Sequence, residues 1–314
     1  MLKFFVVRSI SLLPLCVLIV TIAFTLLHLV PGDPAVVMLG IDATPERIAE
    51  MQTRLGLDRP FLERYLVYLA NVAQGDLGYS NFLSKDVLPA IVERLPVSLL
   101  LAAMSLFWAV LLGVPAGVFA AAHRGSLIDR AVMFSSLAGM SIPSFWFGLI
   151  LIMVVGVWFG VLPTGGYVSP FENPWEALKH MMLPSLSLGF IQMAQVARMT
   201  RSAMLEILRQ DYILVARAKG MPEFTILFNH ALRNGLTSIL TVLALIFAEV
   251  LGGALVTEQI FSLPGLGQLI VSAVGFRDYP VIQGSLVVVG IAYVLINTLT
   301  DAAYRIIDPR IRDS

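Results

Sequence analysis

The sequence is poor in charged residues and has a single cysteine. Only 13% of its 314 residues are charged and 58% are hydrophobic, and the mean hydropathy is +0.85. A soluble globular domain has about 25% charged residues, so this composition indicates that most of the surface faces hydrocarbon. Cys16 has no second cysteine for a disulfide and no neighbours for a metal site, which favours a small membrane-facing residue.

Sequence signatures of enzymes and nucleotide-binding proteins are also missing. The chain contains no G-x-x-x-x-G-K-[ST], no G-x-S-x-G and no H-E-x-x-H, and its four histidines fall in different segments. We therefore predict that the chain is not an enzyme and binds no metal or cofactor itself. Its formal net charge of zero also argues against a nucleic-acid partner.

Six stretches of the sequence are apolar and uncharged, and most reach the roughly 20 residues that a helix needs to cross a bilayer. They cover residues 9–32, 95–122, 131–171, 181–197, 234–248 and 279–300. The fifth continues past Glu249 to Thr257, and Pro163 and Gly165 mark a loop near the end of the third. We predict an all-α integral membrane fold with six transmembrane helices.

The positions of lysine and arginine predict the orientation of these helices. Basic residues are frequent near both termini and in segment 198–234, whereas the opposite short loops contain only Lys179 and Arg277. The positive-inside rule therefore predicts that both termini are cytoplasmic. The first span lacks an A-x-A cleavage site, so we expect it to be a retained anchor.

Segment 33–94, on the predicted outer side, has the pattern of short helices. Thr44 and Pro45 suit the start of one helix and Gly56 its end. A second helix starts near Pro60, and its apolar residues form a stripe of Phe61, Tyr65, Leu69 and Val72. The segment is too small for a strong core of its own, so we expect it to pack on the outer ends of the spans.

Segment 198–234, which we call the hairpin, predicts two helices that project into the cytoplasm. The first ends at Gly220, a residue suited to a left-handed cap, and Pro222 and Glu223 suit the first turn of the second. A connection of this length with apolar residues among bases is not an ordinary loop. It could insert into a groove of a cytoplasmic protein or rest on anionic lipid, and the spacing leaves both interpretations open.

Five motifs along the chain resemble the inner-membrane permeases of binding-protein-dependent ABC importers. D-Y-I-L-V-A-R-A-K-G is similar to the EAA loop, the coupling helix that sits in a cleft of the ATPase. The other four resemble the first permease subunit of dipeptide, oligopeptide, glutathione and nickel systems. They are L-V-P-G-D-P at 29–34, G-D-L-G-Y-S at 75–80, P-G-L-G at 264–267 and R-D-Y-P-V-I-Q at 277–283.

The hairpin also departs from the broad family pattern. Leu214, Val215 and Ala216 stand where that pattern has Glu-Ala-Ala, and Arg233 stands where many such loops have proline. The docking role that the resemblance implies survives, but a salt bridge from the missing glutamate does not. The residues that the resemblance assigns to ATPase coupling are Arg209, Asp211, Tyr212, Val215, Ala216, Arg217, Ala218, Lys219 and Gly220.

The resemblance implies a type I (MetI-like) ABC importer permease fold in the bacterial cytoplasmic membrane. Residues 1–94 would form the anchor helix and the external helical segment, 95–304 the five-helix transmembrane domain with the hairpin, and 305–314 a cytoplasmic tail. The implied partners are a second homologous permease, two cytoplasmic ATPases that bind ATP and magnesium, an external solute-binding protein and membrane lipid. Peptides, glutathione and chelated nickel all remain possible solutes.

A few polar residues within the predicted spans are candidates for the translocation pathway. Glu249 lies in the fifth stretch, where an acid costs about 2.5–3.5 kcal/mol on insertion scales. It either faces the pathway or forms hydrogen bonds that hold helices together. Ser185, Gln192 and Gln195 share one face of span four, and they either line the pathway or join helices.

Two other function classes compete with the importer. A stand-alone secondary transporter would have buried ion-coordinating acids and an inverted repeat, but only Glu249 fits and we detect no repeat. A membrane-embedded enzyme would need a paired catalytic constellation, and none is visible. Copurification with an ATPase, and uptake that stops when ATP is depleted, would separate the importer from both.

The pathway assignment of Glu249 predicts that its charge matters for uptake. We expect Glu249→Gln to fold normally and to lower uptake, because it removes a negative charge that could attract the amine of a peptide. Uptake and ATP hydrolysis measured on the same membranes check this. A variant with normal coupling and unchanged uptake would remove Glu249 from the pathway.

Overall fold

A computed structural model describes residues 2–29, 36, 44–54 and 57–307 of the chain, and this part is mostly helical. Two short antiparallel strands, β1 (Tyr79–Ser80) and β2 (Lys85–Asp86), pair outside the helices, which the all-α prediction did not include. The α-helices are α1 (Leu2–Leu29), α2 (Pro45–Arg54), α3 (Phe61–Ala73), α4 (Val87–Ala122), α5 (Leu127–Ser141), α6 (Ser144–Leu151), α7 (Pro174–Ile207), α8 (Asp211–Ala218), α9 (Glu223–Thr225), α10 (Arg233–Ile260), α11 (Leu266–Gly275) and α12 (Tyr279–Ile307).

Two segments of the chain are π-helical. The first, π1 (Ile152–Trp158), continues α6, and the second, π2 (Ile226–Leu232), joins α9 to α10. π-Helical segments are rare in proteins, and those that occur are often found at functional sites. Neither π segment was predicted, because hydrophobic periodicity does not separate one helix type from the other over a single turn.

The chain forms two compact units. The first consists of Met1–Pro96 and Gly265–Leu295, and the second of Val97–Pro264 and Ile296–Ser314. Residues 265–295 thus group with the amino-terminal residues. The predicted domains 1–94, 95–304 and 305–314 stay predictions.

In the first unit, α3 packs against α1. The Tyr65 hydroxyl lies 2.7 Å from the Thr21 hydroxyl, and the Phe24 ring lies 5.4 Å from Phe61 and 5.6 Å from Tyr65. These contacts use the apolar stripe expected for α3. Helix α2 starts at Pro45 as predicted, whereas its predicted end at Gly56 lies outside the described residues.

Two of the sequence motifs meet in the first unit. The Ser80 hydroxyl donates to the Asp278 carboxylate at 2.5 Å, and both side chains are buried. Next to this contact the Phe82 and Phe276 rings stack with their centroids 3.8 Å apart. The G-D-L-G-Y-S and R-D-Y-P motifs, about 200 residues apart in sequence, therefore contact each other in the fold.

The second unit is built around α7. Gly113 and Gly117 of α4 form a G-x-x-x-G motif that lies against this helix. A Cβ added at Gly113 would lie 2.7 Å from the Met193 carbonyl oxygen, and one added at Gly117 would lie 2.5 Å from the Ala197 carbonyl oxygen. Only glycine allows this approach, because real Cβ atoms essentially never come closer than 3.0 Å. A second G-x-x-x-G sequence, at 156–160, makes no comparable helix contact, because Gly160 lies beyond π1 and a Cβ there would meet no atom within 4 Å.

By length and composition, two described helices could cross a membrane, namely Val87–Ala122 and Tyr279–Thr298. The number rises to four if two bent pairs, which contain α5–α6 and α9–α10, each count as one span. Helix α7 is long enough but does not meet the apolar criterion, and α1 contributes only the short apolar stretch Leu12–Thr25.

The third predicted span, 131–171, is wrong as an uninterrupted helix. The chain leaves α5 at Ile142, which is extended with φ −92° and ψ 122°, and α6 starts after Pro143 at an angle of 99° to α5. Proline has no N–H to continue a helix and forces the preceding residue into an extended conformation. Pro143 was visible in the sequence, but its effect was overlooked.

The contact between α4 and α7 predicts that Gly117→Ala destabilises the protein. The added methyl group would collide with the backbone of α7, and such overpacking costs about 1–3 kcal/mol. Thermal unfolding of the purified chain in detergent measures this. Gly252→Ala is the matched control, because a methyl group there meets no atom within 4 Å. Equal melting temperatures for the two variants would contradict the close contact.

Candidate functional site

The hairpin forms the candidate site, and an apolar cluster on its inner side anchors it. The cluster contains Ile213 and Ala216 of α8, and both are buried. It also contains residues from the ends of α4 and α7 and from π2, namely Val118, Ala121, Met204, Ile207, Ile226, Leu227 and Ala231. Burying these side chains fixes one face of α8 and leaves the other face free to contact another molecule.

A Schellman motif ends α8 at the predicted glycine. The Gly220 N–H donates to the Arg217 carbonyl at 2.9 Å, and the Met221 N–H donates to the Ala216 carbonyl at 3.3 Å. Gly220 adopts φ +73°, which glycine reaches without the steric penalty of a Cβ. The following helical arm starts at Glu223 after Pro222, as predicted.

The outer face of α8 carries apolar side chains. Leu214 is 54% exposed and Val215 is 52% exposed. Of the residues assigned to ATPase coupling, Ala216 alone is buried, and the others are exposed. Apart from Arg209, which precedes the N-cap Gln210, the assigned residues lie on α8 and its carboxy-terminal cap.

Side-chain bonds connect both ends of α8 to the returning arm. At the last turn, Arg217 pairs with Glu223 through bonds of 2.7 and 3.3 Å. At the first turn, Asn234 Nδ2 donates to the Tyr212 hydroxyl at 2.9 Å. The hairpin is therefore a tied unit and not a loose loop.

A salt bridge fixes the part of α7 from which the hairpin starts. Arg201 Nε and Nη2 donate to the two carboxylate oxygens of Asp129 at 2.5 and 2.8 Å. The Gly125 N–H donates to the same carboxylate at 2.9 Å. The Asp129 side chain is 6% exposed and that of Arg201 22%, so the pair is largely withdrawn from water, and removing either partner would leave a buried charge uncompensated.

The pathway candidates lie in different surroundings and do not form one cluster. Glu249 is exposed on α10. Ser185 is buried in α7, where its hydroxyl accepts from Trp108 Nε1 at 3.1 Å. Gln192 is buried, and the side-chain oxygens of Gln192 and Gln195 are both enclosed without a hydrogen-bond partner among the described residues. The contribution of these four residues to the pathway stays a prediction.

One buried acid was missed by sequence reasoning. Glu258 lies near the end of α10, is fully buried, and accepts a hydrogen bond from the Ser98 hydroxyl of α4 at 2.6 Å. The predicted apolar stretch ends at Thr257, so Glu258 was not among the candidates. An acid that directly follows such a run was the available signal. Among the described residues, no three His, Cys, Asp or Glu side chains are grouped so as to hold a metal ion.

Comparison with known protein families matches almost the whole chain. Residues 113–313 match the family described as "Binding-protein-dependent transport system inner membrane component". The chain belongs to this family. Residues 1–102 match the description "Binding-prot-dependent transport system membrane comp, N-term". The resemblance drawn from the five motifs is therefore confirmed. The chain is a permease subunit, and the ATPase of such a transporter is a separate subunit.

Several curated proteins of this permease family are similar over their full length. A "Putative peptide transport system permease protein" of Brucella abortus (strain 2308) is 42% identical, with 97% of each chain covered. The "Dipeptide transport system permease protein DppB" of Escherichia coli (strain K12) is 39% identical, with 99% of each chain covered. Peptide transport is what the names of these relatives state.

A solved structure shows the fold of the permease. An inward-facing MetNI methionine ABC transporter structure aligns with a TM-score of 0.57 at 22% sequence identity. The alignment covers 69% of this chain and 96% of that one. The MetI-like type I importer permease fold is confirmed by this match, because nearly the whole of the other chain is covered.

The pair between α5 and α7 predicts that Arg201→Gln destabilises the permease. The Asp129 carboxylate would stay largely buried without its cation, at a cost on the order of 3 kcal/mol. Melting temperature in detergent measures the loss. Arg130→Gln, at an exposed neighbouring arginine, should have little effect, and adding Asp129→Asn to Arg201→Gln should recover part of the stability. A melting temperature equal to that of the wild type would contradict the structural role.

Proposed function

We propose that this permease forms half of the translocation pathway of an ATP-driven importer for dipeptides or oligopeptides. The hairpin is the part that binds a cytoplasmic ATPase. The observation that carries this proposal is the two-sided character of α8, with Ile213 and Ala216 buried in the cluster and Leu214 and Val215 exposed. A helix anchored on one face and apolar on the other suits a groove in a partner protein.

The charges within α8 itself favour a protein partner over a lipid surface. Arg217 is paired with Glu223, and Asp211 adds an acid at the first turn of α8. A helix that rests on anionic lipid has a strongly basic polar face. The exposed Arg209 and Lys219 flank α8, but α8 itself carries one base and one acid, so its exposed apolar face is the stronger basis for docking.

The remaining parts of the importer follow the family. The partners are a second homologous permease, two ATPases that bind ATP and magnesium, and an external solute-binding protein. Six spans, with both termini in the cytoplasm, are formed by α1, α4, the α5–α6 pair, α7, the arm from α9 to α10, and α12. Relatives named for peptide and dipeptide transport support a peptide solute, with glutathione or chelated nickel as alternatives.

Within this importer, polar residues of α7 and of α10 contribute to the translocation pathway. Glu249 is exposed on α10 and is the residue best placed to attract a peptide amine. Ser185, Gln192 and Gln195 come from α7. The side-chain oxygens of the two glutamines are enclosed and have no hydrogen-bond partner among the described residues, so they would bind water or the solute in a conformation that exposes them.

Reconstitution tests the proposed function. The chain is coexpressed with the second permease, the ATPases and the binding protein, and uptake of a radiolabelled dipeptide into proteoliposomes is measured with and without ATP. We expect the ATPases to copurify and uptake to require ATP. Gradient-driven uptake by the isolated chain would contradict the proposal, as would crosslinks from α8 that reach only phospholipid.

The cap of α8 predicts that Gly220→Pro uncouples ATP hydrolysis from uptake. Proline lacks the N–H that bonds to the Arg217 carbonyl, and its ring excludes φ +73°. We expect at least about a fivefold loss of uptake with normal membrane insertion, since proline in such a position costs about 1 kcal/mol or more. Gly220→Asn is the control, because asparagine tolerates the left-handed region. Normal uptake by Gly220→Pro would refute the docking assignment.

A further inference from the structure

The side-chain amide of Asn234 connects α8 to the arm that returns to the membrane. Its Nδ2 atom donates both to the Tyr212 hydroxyl and to the His230 carbonyl, each at 2.9 Å. An amide NH₂ group has two hydrogens, so one nitrogen makes both bonds at the same time. Tyr212 is the second residue of α8 and Asn234 the second of α10, and the bond therefore joins the starts of these two helices.

The two bonds of Asn234 lie where the helix type changes. Segment π2 ends at Leu232 and α10 starts at Arg233. A side chain that bonds to the carbonyl four residues earlier, as Asn234 does to His230, commonly bends the helix. This junction is thus held by a side chain as well as by the backbone, and the same side chain is bonded to α8.

A π segment that connects two helices can either transmit the displacement of one helix to the other or absorb it. Its hydrogen-bond register differs by one residue from that of an α-helix, so it can lengthen or shorten by a local change of register. Without a second connection, a displacement of α8 could be taken up in π2 before it reaches α10. The bond between Tyr212 and Asn234 bypasses this segment.

We propose that Tyr212 and Asn234 are positioning residues whose hydrogen bond transmits displacement of α8 to α10 past the π-helical segment. This inference rests on the proposed function, in which an ATPase moves α8. Helix α10 carries the exposed Glu249 and the buried Glu258, so movement at the start of α10 reaches the helix that bears both acids.

Two simpler roles give different results in mutants. If Tyr212 only contacted the ATPase, its loss would weaken ATPase binding and loss of Asn234 would not. If Asn234 only stabilised the start of α10, its loss would lower the melting temperature and Tyr212→Phe would not alter α10. A transmitting bond requires that both variants have the same effect and that the double variant is no worse.

Hydrogen exchange of the assembled complex tests the proposal. The chain, its permease partner and the ATPases are purified together, and amide exchange in α8 and α10 is compared with and without ATP and vanadate. The response of α10 is compared with that of α8 in Tyr212→Phe, which keeps the ring and loses the hydroxyl, and in Asn234→Ala. ATPase copurification should stay normal in Asn234→Ala, because Asn234 is not among the residues assigned to ATPase coupling. The response of α10 should fall by about two- to tenfold, the range expected from one neutral hydrogen bond.

Asn234→Ala and the double variant should give the same fall as Tyr212→Phe. Asn229→Ala is the matched control, because Asn229 is an exposed asparagine on the same arm, and it should leave the response unchanged. A wild-type response of α10 in Tyr212→Phe, an additive loss in the double variant, or loss of ATPase binding in Asn234→Ala would each overturn the proposal. If the ATPases do not protect α8 of the wild type, the docking role itself is wrong and the proposal falls with it.

Discussion

The close approach of α4 to α7 is the contact on which the second unit depends. Lipid chains are as apolar as leucine, so the hydrophobic effect does not drive helices together within a membrane, and tight packing of small residues replaces it. Gly113 and Gly117 of α4, and Gly189 of α7 against the Ser105 carbonyl, allow backbone to meet backbone. Helices α5, α6 and α10 also pack against α7, which makes α7 the common support of the unit.

The hairpin takes its rigidity from this support. Because α7 continues beyond the glycine contact to Ile207, its last turns carry Met204 and Ile207 into the cluster under α8. The salt bridge from Arg201 to Asp129 holds the same stretch against α5. A force applied to α8 would therefore act on a packed base.

Local signals in the sequence predicted the parts of this architecture that local chemistry decides. Gly220 determines where α8 ends, Pro222 determines where the returning arm begins, and Pro45 determines the start of α2. The break at Pro143 had an equally clear signal. The burial of Glu258 and the bond from Asn234 to Tyr212 had none, because both depend on which helices become neighbours. The family assignment succeeded because five motifs in a fixed order carry far more information than any one helix.

The composition of the cluster under α8 also constrains the order of events during synthesis. Its members come from α4, α7, α8 and π2, and a chain leaves the ribosome from its amino terminus. Until Ile226, Leu227 and Ala231 have been translated, Ile213 and Ala216 lack part of their covering. A nascent or truncated permease that stops before π2 would thus present these apolar side chains to chaperones and proteases.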